Sequence, residues 1–442
     1  MIKDFNKPRP EGFRTGDRVW PSDLGRKRQA GPHMSFQVGE QHSHLNQANI
    51  NTRAVHCGQY DDPLTGAVGT PIFQSSTFIL NDESYDAIDE GRAREHFIYS
   101  RYGNPSQWSV QEKLASLEKA QSAMVFSSGM AAITSSVMSL MESGAHLITS
   151  RDIYGGTYHF FHEDLEQYGM NVSFVDLTDI EAIEAAITDK TKVLFFEAIT
   201  NPLLKIAPIK DIVKLAKKYK LRTIIDATFA SPMNLNALEL GVDVVVHSAS
   251  KYLNGHSDLI AGVAAGSRKL MDPIWGQMLK FGGSLDPHAC FLLERGLKTF
   301  GLRLKAHNEN AQALAEFLEQ RDEIVKVYYP GLPSHPQHEM AKDILDGFSG
   351  MVSFEIKGGD KASALLTKTL KLPRLATSLG GVESLISLPH NTSQAALMKS
   401  QLREIGINDG LVRLSVGVED IEDIKNDFIQ AFEQLRTQGV LK

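Results

Sequence analysis

An α/β fold, a mostly parallel sheet with helices on both faces plus a smaller C-terminal α+β domain, is the architecture this sequence predicts. Two observations carry it. Short β-branched runs alternate with amphipathic helical segments from about Gln107 to Val246, the rhythm of parallel strands joined by crossover connections. From about Arg295 the pattern changes to one long helical segment followed by mixed elements.

Taken in order, residues 1–50 are rich in Pro, Gly, Arg and Lys and show neither a hydrophobic signal region nor helical periodicity, so they read as a disordered extension. Asp4, Glu11, Asp17 and Asp23 dilute the positive charge of a transit peptide, and a true start at Met34 is the remaining alternative. A helical segment through Leu114 and Leu117 leads to the strand Ala123 to Phe126. Helix Met130 to Met141, strand His146 to Thr149, helix Thr157 to Tyr168 and strand Val172 to Val175 follow. Three further strands are expected at Val193 to Phe196, Arg222 to Ile225 and Val242 to Val246, with a Lys-rich helix at Ile209 to Tyr219 between the first two. The second region starts with a helix through Leu302, Ala306 and Leu314 and ends with strand Leu411 to Val416 and an amphipathic helix from Ile421. The expected division is therefore 1–50 extension, 51–106 arm, 107–295 large domain and 296–442 C-terminal domain.

Composition excludes several classes. With 46 basic and 53 acidic side chains the net charge is −7, which gives no general electrostatic reason to bind nucleic acid. No apolar run approaches the roughly 20 residues of a membrane span. Cys57 and Cys290 are the only cysteines, so a disulfide framework is not expected and a reducing, cytoplasmic location is.

Ligands in parallel sheets sit beyond the strands' carboxyl ends, which directs attention to Ser127, Glu197, Asp226 and His247 to Lys251. The apolar run Val244 to Val246 leads into small hydroxyl residues and Lys251. A lysine in a low-dielectric cleft loses basicity and becomes able to form an imine with an aldehyde, although a lysine snorkelling to the surface has the same local sequence. Asp226 ends a strand and reads either as the partner of a protonated ring nitrogen or as a helix cap. Phe126-Ser-Ser-Gly-Met130 turns through Gly129 into a helix, either as a phosphate site or as a plain connection. Arg413, alternating with apolar residues, suits a substrate carboxylate or a structural salt bridge. His247 and His256 lack metal-ligand spacing, so no metal is expected, and both cysteines read as bystanders. No strand is followed by Gly-x-Gly-x-x-Gly, which disfavours a dinucleotide enzyme.

Together these segments resemble the trans-sulfuration family of pyridoxal 5'-phosphate (PLP) enzymes. The likeness is carried by Ser248-Ala-Ser-Lys-Tyr-Leu-Asn-Gly-His-Ser-Asp258, Tyr99-Ser-Arg-Tyr-Gly-Asn-Pro105, Tyr154-Gly-Gly156, Glu197 with Asn201-Pro202, Ser378-Leu-Gly-Gly-Val-Glu-Ser384 and Arg413. The resemblance implies the fold type I of PLP-dependent transferases, with Lys251 joined to the cofactor as an imine and later moving protons. It further implies Asp226 at the pyridine nitrogen and Tyr154 stacked on the ring, where it is also a candidate acid or base. Gly129, Met130, Ser248 and Ser250 would hold the phosphate, and Tyr99 and Arg101 would reach it from a neighbouring subunit. Arg413, Ser378, Asn201 and Thr377 would meet the substrate. The implied assembly is a homotetramer built from two dimers.

The implied activity is carbon–sulfur bond cleavage by γ- or β-elimination in cystathionine, methionine or homocysteine, giving a 2-oxo acid, ammonia and a thiol. The alternative is a γ-replacement enzyme of the cystathionine gamma-synthase or O-acylhomoserine sulfhydrylase kind. Thr377 stands where many relatives carry glutamate, which favours smaller or less polar substrate side chains, and Gly156 stands where methionine gamma-lyases commonly carry cysteine.

Overall fold

The computed structural model describes Leu45 and residues 47–392, 402–403 and 406–441, so the expectation for residues 1–50 falls largely outside the described residues. Seven strands form the larger sheet: β1 (Ser122–Phe126), β2 (His146–Ser150), β3 (Asn171–Val175), β4 (Thr191–Glu197), β5 (Arg222–Asp226), β6 (Val244–Ser248) and β7 (Gly262–Gly266). Their order is β1-β7-β6-β5-β4-β2-β3. Neighbours are parallel except that β7 runs antiparallel to both β1 and β6.

Alternation along the strands builds two cores. Phe126, Leu147, Phe195, Ile224 and Val246 face one side with Ile133 and Val137 of helix Gly129–Leu140. Val125, Ile148, Phe196, Ile225 and Val245 face the other, with Ile212 and Ala216 of helix Ile209–Tyr219. Both faces are buried, so these strands read as nearly continuous apolar runs. In helix Ile209–Tyr219, Lys210, Lys214, Lys217 and Lys218 form the exposed face and Lys220, at φ 58°, closes it in the left-handed conformation.

Strand β7 is the element the β-branched pattern does not mark. Its Gly-Val-Ala-Ala-Gly sequence is small because the turn after β1 lies against it: a Cβ at Gly262 would fall 2.0 Å from the Ser128 carbonyl oxygen. The helix expected over Thr157 to Tyr168 is interrupted, running Gly155–His159, then a π turn at Phe160–Asp164, then Leu165–Gln167. Arg295 belongs to a separate helix, Pro287–Leu297, and the long helix is Phe300–Glu319.

A second sheet contains β8 (Ile324–Tyr328), β9 (Met351–Ile356), β10 (Arg374–Leu375), β11 (Leu385–Ser387) and β12 (Leu411–Ser415), ordered β10-β11-β12-β9-β8. It is antiparallel except for the short β10–β11 pair. Val352, Phe354, Val412 and Leu414 pack on Leu314, Leu318, Phe428 and Phe432 from helices Phe300–Glu319 and Ile421–Thr437. The two sheets are tied behind the Lys251 turn, where the Tyr252 hydroxyl accepts from the Gly350 N–H at 3.1 Å.

Candidate active site

The parallel strands β4, β5 and β6 end side by side, with Glu197 in register with Asp226. Desolvation raises the Asp226 carboxyl above the ordinary carboxylate range, opposed by hydrogen bonds from Thr228 and by the nearby His247. The Thr228 N–H donates to Asp226 Oδ1 at 2.9 Å, and the Thr228 hydroxyl accepts from the Ser248 N–H at 2.8 Å. Thr228 thus binds the end of β5 to the end of β6. It is a residue the strand pattern does not single out, although a threonine two positions after an aspartate is a recognised turn signal.

Three residues beyond β6, Lys251 is half-buried and its Nζ donates to Ser378 Oγ at 2.6 Å. Burial first, and the Arg413 charge second, lower its amine to about 8. Of the two sequence readings, a lysine held in a cleft is the one the geometry supports. Ser378 occupies φ 81°, a strained position for a residue with a side chain. Its hydroxyl accepts from Lys251 while its carbonyl accepts from Arg413 Nη2 at 3.2 Å.

Arg413 projects from β12 and is 6% exposed. Its Nη1 donates to Asn201 Oδ1 at 3.0 Å, and among the described residues it forms no ion pair with a carboxylate. The structural salt bridge allowed by the sequence is therefore not what holds it. Two of its five N–H donors are engaged by neutral oxygens, leaving a guanidinium in need of an anion. Burial lowers it to about 10.

Gly129 opens helix Gly129–Leu140, with Met130 next and Ser128 capping through its Oγ, which accepts from the Ala131 N–H at 3.0 Å. A Cβ at Gly129 would lie 2.9 Å from the Ser248 Cβ, so only glycine lets this helix end close on β6. Ser250 Oγ accepts from the Ala261 N–H at 3.0 Å. The first turn of this helix thus closes on Ser248 at the end of β6, and a helix N-terminus is an arrangement suited to an anion.

Tyr154 is 45% exposed at the start of the interrupted helix. A Cβ at position 156 would come within 2.6 Å of its Cε1, so Gly156 sets where the ring can lie. Its backbone N–H donates at 2.8 Å to Glu197 Oε1, and the Asn201 N–H donates at 3.2 Å to Glu197 Oε2. Glu197, expected as a polar residue at a strand's carboxyl end, is therefore joined to two loops at once.

Other expected residues are not gathered. Arg101 donates from Nη1 to the Leu279 carbonyl at 2.9 Å and lies over the Tyr102 ring, with Tyr99 beside it. Among the described residues neither Tyr99 nor Arg101 bonds to the Lys251 group. Thr377 is exposed, directly before Ser378. His247 is buried against Glu118, and His256 Nδ1 donates to the Asn254 carbonyl at 2.7 Å. Both cysteines are free and buried. No helix among the described residues is long and apolar enough to cross a membrane.

An amine near 8, a strand-end carboxylate, a helix N-terminus closed by glycine and a guanidinium without a counter-charge among the described residues fit PLP together with an amino acid. Comparison with known proteins agrees. The family model described as Cys/Met metabolism PLP-dependent enzyme matches residues 51–433. The chain is 43% identical over 387 residues to a cystathionine beta-lyase of Lactococcus lactis subsp. cremoris, covering 87% of this chain and 99% of the relative. It is 41% identical over 394 residues to a cystathionine gamma-lyase of Dictyostelium discoideum, covering 88% and 99%. The solved structure of a cystathionine gamma-lyase from Lactobacillus plantarum complexed with L-serine superimposes with a TM-score of 0.83 at 39% identity, covering 88% of this chain and 99% of that one.

Proposed function

Because the chain belongs to the Cys/Met metabolism family of PLP-dependent enzymes, and within it is a carbon–sulfur lyase, we propose that it cleaves cystathionine by elimination, giving a 2-oxo acid, ammonia and a thiol. Methionine and homocysteine are the other substrates of the same chemistry. The observation that carries this reading is the Lys251 amine, lowered to about 8 beside an Arg413 guanidinium that has no carboxylate partner among the described residues.

PLP, when bound, supplies the carbonyl that links to an amino group and the ring that takes up electrons from the substrate's α-carbon. Lys251 would hold the cofactor through its Nζ, and the same Nζ, when free, would take the substrate's α-proton. A base poised near the working pH is effective in both directions of proton transfer. Ser378 Oγ, already an acceptor for that amine, keeps it in place while it is free. Asp226 keeps a proton on the ring nitrogen. Tyr154, 45% exposed, would cover the ring and serve as acid or base toward the leaving group. Gly129, Met130, Ser248 and Ser250 hold the phosphate. Arg413, steered by Asn201 Oδ1 and the Ser378 carbonyl, binds the substrate's carboxylate, and Thr377 at the rim meets its far end.

The arm 51–106 places Tyr99 and Arg101 at a neighbouring subunit's phosphate, the large unit 107–295 holds the cofactor, and 296–442 forms the second domain. A homotetramer is supported by the solvent-facing apolar side chains of the arm: Ile79 is 93% exposed, Leu64 85% and Val68 83%. Two free thiols support a reducing compartment, the cytoplasm.

The test is to incubate the PLP-loaded protein separately with cystathionine, methionine, homocysteine, cysteine and O-succinylhomoserine, following 2-oxo acid, thiol and the visible spectrum. Steady 2-oxo acid from cystathionine with no added thiol is the expected result, 2-oxobutyrate marking γ-elimination and pyruvate β-elimination. Turnover of O-succinylhomoserine only when a thiol is supplied, with none from cystathionine alone, would overturn elimination in favour of γ-replacement.

A further inference from the structure

Glu197 touches neither substrate nor cofactor in the reading above, yet it is joined to groups on both sides of it. The residue is 7% exposed at the end of β4. Its Oε1 accepts the Tyr154 N–H at 2.8 Å and its Oε2 accepts the Asn201 N–H at 3.2 Å. These N–H groups belong to different loops, one following β2 and the other following β4. The second loop continues the path outward, because Asn201 Oδ1 accepts from Arg413 Nη1 at 3.0 Å.

We propose that Glu197 is a positioning residue whose single carboxylate fixes the distance between the Tyr154 loop and the Asn201–Arg413 pair, and so between the ring-stacking group and the substrate-carboxylate clamp. The proposal rests on the lyase reading, since it is that reading which gives the two groups their roles.

The chemistry of the side chain argues against a merely space-filling part. Burial, then the Asp226 charge on the neighbouring strand, then Asp152, all oppose ionisation of Glu197, and among the described residues no cation pairs with it. Lys205, which lines the same small cavity as Glu197, is paired with Asp152 at 2.9 Å. Such a carboxylate is tolerated only where both oxygens are used as acceptors, because each backbone N–H left without a partner in a buried place is costly. Two donors arriving at two different oxygens is an arrangement that a carboxyl side chain satisfies. Glutamine does not, since its NH2 would face an N–H.

The experiment compares Glu197→Gln and Glu197→Asp with the parent protein, each full-length and loaded with PLP. Amide hydrogen exchange is followed in peptides covering 152–158 and 199–204, with β4 and β5 as internal references. Glycine, which carries the carboxylate but has no leaving group, is titrated against the visible band of the bound cofactor, and KM and kcat are measured for cystathionine. Glu197→Gln is expected to raise exchange about tenfold in at least one of the two loops while β4 and β5 are unchanged, and to weaken glycine binding and raise KM by about tenfold, with kcat less affected. Glu197→Asp, still a carboxyl but one methylene shorter, shows the same pattern at smaller size and decides the matter if Glu197→Gln does not fold. Unchanged exchange in both loops, or exchange raised uniformly through the sheet, overturns the proposal. If the parent protein releases no 2-oxo acid from any sulfur amino acid, the lyase reading fails, while exchange and glycine binding still decide what Glu197 does.

Discussion

Two lysines in this molecule have the same lowered basicity and opposite surroundings. Lys113, in helix Pro105–Leu117, is 0% exposed, and burial brings it to about 8 although the Glu294 charge works against the change. Its Nζ donates to the Val55 carbonyl at 3.0 Å, and the nearby Glu294 oxygens are taken by the hydroxyls of Thr70 and Ser109. Lys251 also stands at about 8, but the neighbouring charge, Arg413, pushes in the same direction as burial. Its donor partner is a serine hydroxyl, and the cleft leaves it half-open. A perturbed pKa therefore marks a site only in company: an accessible amine beside an unpaired guanidinium and a strand-end carboxylate can do chemistry, whereas an amine sealed under a carbonyl holds a helix in place.

The comparison breaks most sharply on substitution. Lys251→Ala should lower kcat/KM by about 10³-fold or more and abolish the reducible covalent link to PLP, whereas Lys113→Met should keep that link and change kcat/KM less than about twofold. Equal losses in both variants, read by borohydride fixation and steady-state kinetics, would remove the distinction. Arg413→Ala comes next, with KM rising about 10- to 100-fold as the hydrogen bonds to a charged group are lost. An unchanged KM would return Arg413 to a structural part.

The pH dependence tests what the two lysines share. In the folded apoprotein both titrate near 8, and in the unfolded chain both return to the ordinary lysine value, so between the two the unfolded state binds more protons. Stability should accordingly rise from pH 8 to pH 10. Lys113→Met and Lys251→Met should each flatten that rise in urea unfolding of the apoprotein, and parallel curves for parent and variants would contradict the shared shift. The smallest effect belongs to the rim: Thr377→Glu should lower KM for cystathionine about two- to fivefold and leave methionine unaffected, since an exposed ion pair contributes little.

Much of this was legible in the chain. Helix Ile209–Tyr219 falls where its Lys face and Ile212-Val213-Ala216 stripe put it, and β2 to β6 follow the β-branched runs to within two residues at either end. Strand β7 was not legible, because its small residues answer to the Ser128 carbonyl, 134 positions before Gly262, rather than to strand propensity. The break at Phe160–Asp164 was missed for a similar reason: apolar periodicity reports which face is buried, not which hydrogen-bond register the backbone takes.

By itself the sequence singled out Lys251, Asp226, Gly129 and Arg413, since each sits at the end or on the face of an element whose own pattern fixes its place. Tertiary structure alone decided which of them have partners. That Arg413 meets only neutral oxygens among the described residues, that Ser378 receives the Lys251 amine, and that Glu197 binds two loops are facts about which segments the fold brings together. Periodicity is a local property, whereas charge compensation and hydrogen-bond satisfaction are set by whatever folding places within about 3 Å.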